Sequence, residues 1–278
     1  MAFKVFRKAA FDWNAVGRWT PSYLSSTVPD KMVRVESDGI VRACPLAEAF
    51  TVAAGGDTYV FQTSILFGMP QLLPDLYLPP GAPDPSQLLE INLWCGPAGN
   101  RARLHFDTKV NFYVQISGTK RFLLIDPSLN GIDLNEPDCP GWRRSRVDPV
   151  GGGLGIEEVI LHPGDILFMD AFMGHDVRAL TDSISVNFWY RADLRSVSAE
   201  MVCRLAVWLS TQPNPRAELR GYVVPDGDVG ALGMELVSAS RRYLAADNTP
   251  AHQRANWGKR VEALATSLTA RSPSRVVS

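Results

Sequence analysis

The chain holds only four histidines and four cysteines in 278 residues, and the placement of the cysteines excludes whole classes of protein. Cys44, Cys95, Cys139 and Cys203 lie far apart and form no CxxC pair, so neither a disulfide framework nor a structural zinc site is expected. They read instead as small buried thiols in a reducing compartment. No apolar run approaches the length of a membrane span. The first residues, Met1-Ala2-Phe3-Lys4-Val5-Phe6-Arg7-Lys8, lack the apolar core of a secretory signal. The expected setting is therefore cytoplasmic, without a membrane partner. An excess of one charge is missing too: 28 Lys and Arg against 29 Asp and Glu leave a formal net charge of −1. With a pI near 6.4 and no basic stripe or arginine-rich tail, a dedicated nucleic-acid binder is disfavoured. Repeats and low-complexity tracts are absent. At 46% hydrophobic residues the chain can bury a substantial core, as one large domain with an appendage.

Two of the scarce histidines fall in a pattern with chemical meaning. His105-Phe106-Asp107 is followed, well downstream, by Gly174-His175. Two imidazoles and one carboxylate on one face of an octahedron suit a non-haem Fe(II) with open positions on the other face. In a strand, alternate side chains point the same way, so His105 and Asp107 can reach one ion while Phe106 packs behind. An HxD triplet alone is weak, because a lone strand histidine is more often a hydrogen-bonded core residue. His162 is the rival third ligand, but it precedes the Pro163-Gly164 turn, a solvent-facing place; His252, in a polar segment, reads as surface.

The neighbourhood carries more. Asn111 to Pro127 reads as strand, Ser117-Gly118 turn, strand and proline stop. Pro163-Gly164-Asp165 turns into the apolar run Ile166-Leu167-Phe168-Met169, and a further strand runs from Ile184 to Tyr190. From Leu88 to about Arg191 the chain consists of short strands with turn punctuation, the pattern of an antiparallel jelly roll.

In these segments the chain resembles the Jumonji-C or cupin-like 2-oxoglutarate oxygenases, the branch that includes the asparaginyl hydroxylase acting on hypoxia-inducible factor. The matching stretches are Leu93 to Asp107, Asn111 to Pro127, Pro163 to Phe168, Gly174-His175 and Val186 to Tyr190; looser ones are Phe6 to Trp13, Arg18 to Leu24 and Thr58 to Gln62. The resemblance covers roughly residues 3–195. It implies a mainly β fold with helical additions, a double-stranded β-helix. It implies Fe(II) as metal, 2-oxoglutarate as co-substrate and O₂ as oxidant. By position, His105, Asp107 and His175 match the family's iron ligands. Lys120 matches the lysine that pairs with the distal carboxylate of 2-oxoglutarate, and Tyr59, Asn111 and Asn187 match polar residues around the co-substrate. A dianion entering a barrel needs a cation at the closed end and donors along its flanks. One departure stands out: where the family has Thr or Ser followed by Pro, this chain has Ala102 and Arg103, so a co-substrate hydroxyl is missing.

Read as residues alone, Lys120 beside Arg121 near a turn is more readily a solvated cation than a buried one, and Tyr59 and Asn187 can be satisfied core polars. The implied activity is hydroxylation of a C–H bond on a peptidyl or amino-acid side chain or a natural-product intermediate. The alternative is a cupin-fold metal-binding or scaffold protein without oxygenase activity.

The sequence divides at about residue 195. Residues 1–195 form the expected oxygenase domain, with a strand near Lys4–Arg7, a helix near Thr20–Ser26 opened by Thr20-Pro21, and a strand near Met32–Glu36. A short helix and an irregular proline-rich loop are expected over 61–86. Asp126 to Gly155 is a long insertion with Trp142, Arg143, Arg144, Arg146 and Gly151-Gly152-Gly153; it reads either as a solvated face or as a substrate-binding flap hinged on the glycines. Residues 196–278 are helical, with helices near 197–209, 229–245 and 255–270 and a short polar end. In related enzymes such helices often make a homodimer interface; packing back on the barrel is the equal alternative.

Overall fold

Along the strands between Leu88 and Tyr190, the side chains of each face form a set of their own, and such strands must bury the apolar set. The computed structural model describes residues 3–37, 40–53, 58–126, 134–146, 148, 155–246 and 249–270. In chain order its elements are β1 (Phe3–Phe6), α1 (Ala15–Arg18), α2 (Pro21–Thr27), β2 (Met32–Ser37), β3 (Ile40–Pro45), α3 (Leu46–Ala53) and β4 (Tyr59–Ser64). Then come β5 (Leu88–Gly96), β6 (Arg101–Phe106), β7 (Val110–Ser117), β8 (Lys120–Ile125), β9 (Ile156–Leu161), β10 (Ile166–Met169), β11 (Gly174–Ala179) and β12 (Ser183–Tyr190). Helices α4 (Ala199–Leu209), α5 (Pro215–Leu219), α6 (Val229–Ala245) and α7 (Ala251–Thr269) follow.

One sheet has the order β1-β10-β7-β12-β5-β4-β2-β3 and the other β6-β11-β8-β9. The eight strands β5 to β12 thus divide equally between two antiparallel sheets, a jelly roll as expected. Ile91 and Leu93, Phe112 and Val114, and Val186 and Phe188 face the N-terminal elements, where Trp13, Trp19, Leu24 and Leu46 join the same core. From the opposite side of the large sheet, Tyr113, Leu167 and Met169 pack against Phe122, Leu124, Val159 and Leu161 of the small one. The large sheet is therefore buried on both faces, and polar residues on its inner face are enclosed.

The expected strand, Ser117-Gly118 turn and strand are present as β7 and β8; β7 pairs with β10 and β12, while β8 pairs with β11 and β9, so the turn carries the chain from one sheet to the other. Gly118 has φ +72°, and a Cβ there would stand 2.0 Å from the Asp182 carbonyl oxygen, so only glycine fits. The short helix expected over 61–86 does not begin at Phe61. Residues 59–64 instead form β4, paired with β5 on one side and β2 on the other, and a 3₁₀ turn follows at Pro70–Asp75. Helix α2 begins as predicted, with the Thr20 hydroxyl accepting from the Tyr23 N–H and Pro21 in the first turn.

The described residues group into two compact units, Met1–Asp133 with Arg144–Arg191, and Leu134–Arg143 with Ala192–Ser278. In the second, Trp142 is buried and stacks on Trp208 of α4, with ring centroids 5.5 Å apart and planes at 23°. Trp257 of α7 donates to a Glu136 carboxylate oxygen at 3.1 Å. Trp142 is thus neither a solvated residue nor the exposed aromatic of a flap; Gly151, Gly152 and Gly153 lie outside the described residues.

The first unit is tied by two buried carboxylates. Asp75 accepts from Arg18, the Trp19 indole and the Tyr23 hydroxyl. Asp165 accepts from the His162 and Lys8 backbone N–H groups at 3.0 and 2.9 Å and from Arg7 at 2.7 Å. Burial pushes the Asp165 carboxyl up, but these bonds outweigh it and hold it below its usual range. A depressed folded-state value means that the stabilisation is present above the unfolded carboxylate value and lost as pH falls through the folded one. Asp165→Asn is expected to cost about 1–3 kcal/mol at neutral pH. In urea unfolding across pH, the gap to the parent chain should close below about pH 3.9. A gap that stays constant down to strong acid would show that the charge plays no part.

Candidate metal centre and its polar lining

His105 lies in β6, Asp107 directly after it, and His175 in β11, with His105 and His175 paired across the two strands. The three side chains can each offer a ligand atom, and these atoms all lie within 4.8 Å of one another. The imidazole centroids are 4.3 Å apart, and His175 Nε2 stands 3.8 Å from Asp107 Oδ2. His175 and Phe106 are buried, whereas His105 and Asp107 are half-buried, which leaves the cluster an approach. Gly174 precedes His175 because β11 passes close to β8: a Cβ there would lie 2.9 Å from the Ile125 carbonyl oxygen.

Hydrogen bonds orient all three candidate ligands. His105 Nδ1 is 2.8 Å from the Arg103 carbonyl oxygen, and His175 Nδ1 is 2.9 Å from that of Met173. A carbonyl only accepts, so each Nδ1 carries the hydrogen and each Nε2 keeps its lone pair for a metal. The Asp107 backbone carbonyl accepts from the Phe172 N–H at 2.7 Å. Phe172 holds φ +67°, a strained value for a bulky residue, and its ring packs 5.6 Å from Phe106.

The Asp107 carboxylate ends a chain of amides with one possible polarity. The Trp94 indole, which only donates, gives its N–H to Asn187 Oδ1 at 2.9 Å, and Asn92 Nδ2 donates to the same oxygen at 3.2 Å. That turns Asn187 Nδ2 to Asn111 Oδ1 at 3.2 Å, and Asn111 Nδ2 then donates to Asp107 Oδ2 at 3.3 Å. Asn111 and Asn187 each retain one amide hydrogen.

Two residues further along the inner faces of β7 and β12 lies a second cluster. Lys120 of β8 is 3% exposed. Its Nζ donates to the Tyr113 hydroxyl at 2.7 Å and to Ser185 Oγ at 3.0 Å, and among the described residues no carboxylate lies within 4.0 Å of it. Arg121 faces the other way, half-buried, 3.7 Å from Glu158. Tyr59 packs beside Trp94 with centroids 6.2 Å apart. Burial first, then the neighbouring Tyr113 and Cys95, push its phenol well above the usual range, so it stays protonated. The buried Cys95 thiol is pushed up to about 12 by burial and remains a thiol. His162 is exposed and outside the cluster; the side chain of His252 lies outside the described residues.

At the departure from the family pattern, one residue of β11, Asp176, stands opposite two of β6, Arg103 and Leu104. This bulge pairs Ala102 with Val177, which packs on the inner core, while Arg103 turns out with its side chain 77% exposed. Arg101 clamps the buried Asp176 through Nε at 3.0 and 3.1 Å and Nη2 at 2.8 Å. The sequence reading thus located the cluster residues and Lys120 but did not single out Tyr113, Ser185, Trp94 or Asn92. The period-two spacing of Asn111 with Tyr113, and of Ser185 with Asn187, is the signal that points to the first two.

Residues 54–150 match the cupin-like domain family. The chain is similar to Jumonji C domain-containing protein 5 of Drosophila melanogaster, 29% identical over 146 residues that make up 48% of this chain and 36% of the relative. It is 26% identical over 208 residues to lysine-specific demethylase 8 of Xenopus tropicalis, covering 64% of this chain and 45% of that protein. To tRNA wybutosine-synthesizing protein 5 of Danio rerio it is 28% identical over 136 residues, 44% of this chain and 39% of the relative. The matched segment spans less than half the length of each of these relatives. No helix among the described residues is long and apolar enough to cross a membrane.

A cluster of this composition suits Fe(II), and two imidazoles with one carboxylate gathered at one place fit that role. His105→Ala, Asp107→Ala and His175→Ala are each expected to abolish stoichiometric Fe(II) or Mn(II) binding in anaerobic equilibrium dialysis, whereas His162→Ala should bind as the parent chain does. Loss of metal in His162→Ala with retention in His175→Ala would reverse the assignment.

Proposed function

We propose that the protein is an Fe(II)- and 2-oxoglutarate-dependent oxygenase that hydroxylates a C–H bond of a peptidyl or amino-acid side chain or of a small natural-product intermediate. One observation carries this reading: a buried ammonium without a carboxylate partner among the described residues lies one step along the same inner strand faces from a two-histidine, one-carboxylate cluster. Asn111, bonded to Asp107, and Tyr113, bonded to Lys120, are two positions apart on β7. At about 3.4 Å per strand residue that step is roughly 7 Å, the scale of a five-carbon diacid held at both ends.

The residues then divide the work. His105, Asp107 and His175 hold the metal, with Asn111 and Asn187 fixing the Asp107 carboxylate and offering their spare amide hydrogens to the co-substrate. Lys120 supplies the counter-charge for the distal carboxylate. Tyr59 closes one flank as a neutral phenol. Phe122, Leu124, Met169 and Met173 line the interior and keep it dry. When bound, Fe(II) with a 2-oxo acid supplies O₂ activation coupled to oxidative decarboxylation.

The relatives' names include demethylases and a tRNA-modifying protein, which differ in substrate. Oxidation of a C–H bond is common ground with demethylation, since hydroxylating an N-methyl carbon gives a hemiaminal that releases formaldehyde. A near-neutral chain without a basic stripe favours a peptide or small molecule over a nucleic acid.

Anaerobic addition of Fe(II) and then 2-oxoglutarate is expected to produce a weak visible charge-transfer band, and exposure to air to produce succinate. A flat spectrum with bound metal would instead favour a metal-binding or scaffold protein. Lys120→Ala should raise the apparent KM for 2-oxoglutarate about a hundredfold or more, the effect of leaving a buried carboxylate without its partner at ~3 kcal/mol, with little change in metal affinity. Arg121→Ala should leave that KM unchanged, and equal losses in both variants would rule out a pocket contact.

A further inference from the structure

Away from Lys120, toward the opposite end of the inner space, three neighbouring strands of the large sheet carry one row of side chains. Glu90 of β5 pairs with Trp189 of β12, and Trp189 pairs with Asn111 of β7, the residue bonded to Asp107. All three face inward, because Asn92 and Asn187, two positions along β5 and β12, meet on that side. The row is therefore level with the metal cluster. Glu90 stands two strand spacings, roughly 10 Å, from Asn111, which sets its charge apart from the reacting centre.

Two polar groups in this row are unmet. The Ser64 hydroxyl donates to Glu90 Oε1 at 2.7 Å and the Ile91 N–H to the same oxygen at 3.1 Å. The half-buried carboxylate is thus fixed, while its Oε2 has neither a hydrogen-bond donor nor a cation beside it among the described residues. The Trp189 indole nitrogen is buried and has no acceptor among them. Charge makes this a signal. Fe(II), Asp107, a 2-oxo diacid and Lys120 sum to zero in formal charge, so Glu90 leaves the enclosure with negative charge in excess, which is costly out of water.

We propose that Glu90 is a specificity-determining residue that takes the cationic group, ammonium or guanidinium, of the substrate, while the Trp189 N–H donates to an acceptor of the same molecule. A cation is favoured over a neutral donor because it alone removes the excess charge, and a charge-assisted bond is the stronger one. A basic side chain within a peptide and a free basic amino acid share this chemistry. The inference rests on the oxygenase reading and adds the class of substrate.

Pools of short capped peptides test it, with uncharged degenerate flanks and arginine, lysine, citrulline, norleucine or glutamate fixed at the centre. They are retained on immobilised protein loaded anaerobically with Mn(II) and 2-oxoglutarate and counted by mass spectrometry. The arginine or lysine pool should be retained about tenfold or more over its neutral counterpart, citrulline or norleucine, the weight of a hydrogen bond between charged groups. Calorimetry with free L-arginine, L-lysine and L-citrulline distinguishes the sources: binding there without retention of peptides marks the free amino acid. Glu90→Gln, which keeps the Ser64 bond through its amide oxygen, should erase the preference for the cation. Trp189→Phe should weaken binding and keep that preference; melting temperature and Mn(II) content show that both variants are folded. An unchanged preference in Glu90→Gln, a preference for neutral or acidic probes, or no binding of any cationic probe by protein that holds 2-oxoglutarate would overturn the assignment and leave the oxygenase reading standing. A parent protein that binds metal but not 2-oxoglutarate would instead remove that reading itself.

Discussion

An ammonium group enclosed in a sandwich of two sheets needs compensation, because taking a charge out of water costs several kcal/mol even after relaxation. Here the compensation is two hydroxyls, from strands of the sheet opposite Lys120. That arrangement sets requirements on the rest of the fold. β7 and β12 must be neighbours, and their inner faces must bear polar groups while their outer faces join the apolar core. The turn at Gly118 must pass the chain between the sheets within two residues, so that Lys120 opens β8 directly across from the strand that carries Tyr113. A φ of +72° and a carbonyl 2.0 Å from any added Cβ make that crossing a glycine-only position.

The metal cluster is organised on a different principle. Each imidazole is turned by the backbone carbonyl two residues before it, so its orientation is encoded locally in the chain. The carboxylate depends on long-range contacts: an amide chain crosses three strands from the Trp94 indole to Asp107, with every amide orientation forced by the donor-only N–H at its start. A change at Trp94 thus reaches Asp107 through two asparagines without touching it. Preorganisation of this sort lets a metal bind without ordering its ligands first.

Much of this was legible in the sequence, for stated reasons. HxD puts two candidate ligands on one side of a strand, and Gly174-His175 marks both the third candidate and the tight strand approach that a Cβ would prevent. The jelly roll followed from short strands with turn punctuation. Lys120 was open between solvent and interior, because a strand's two faces look alike until it is known which sheet the strand joins. The same ambiguity hid Tyr113 and Ser185, which read as ordinary strand residues. The Arg103–Leu104 bulge was invisible because it exists only relative to β11. β3 and α3 were missed where the sequence carries no strong periodic signal. Trp142 was misread because its partner, Trp208, lies in a helix far along the chain.

Residues 134–143 branch from the chain between β8 and β9, yet they belong with helices made after residue 192. On the ribosome this has a temporal meaning. Trp142 emerges while the helix that will cover it is still unwritten, and Glu136 precedes its partner Trp257 by 121 residues. The barrel waits as well, since β12 is needed to complete its large sheet. Neither unit can finish before the late segment it needs has emerged, β12 for the first and α7 for the second. Until then an aromatic side chain that is buried in the finished protein is open to chaperones, and to its neighbours on a crowded polysome.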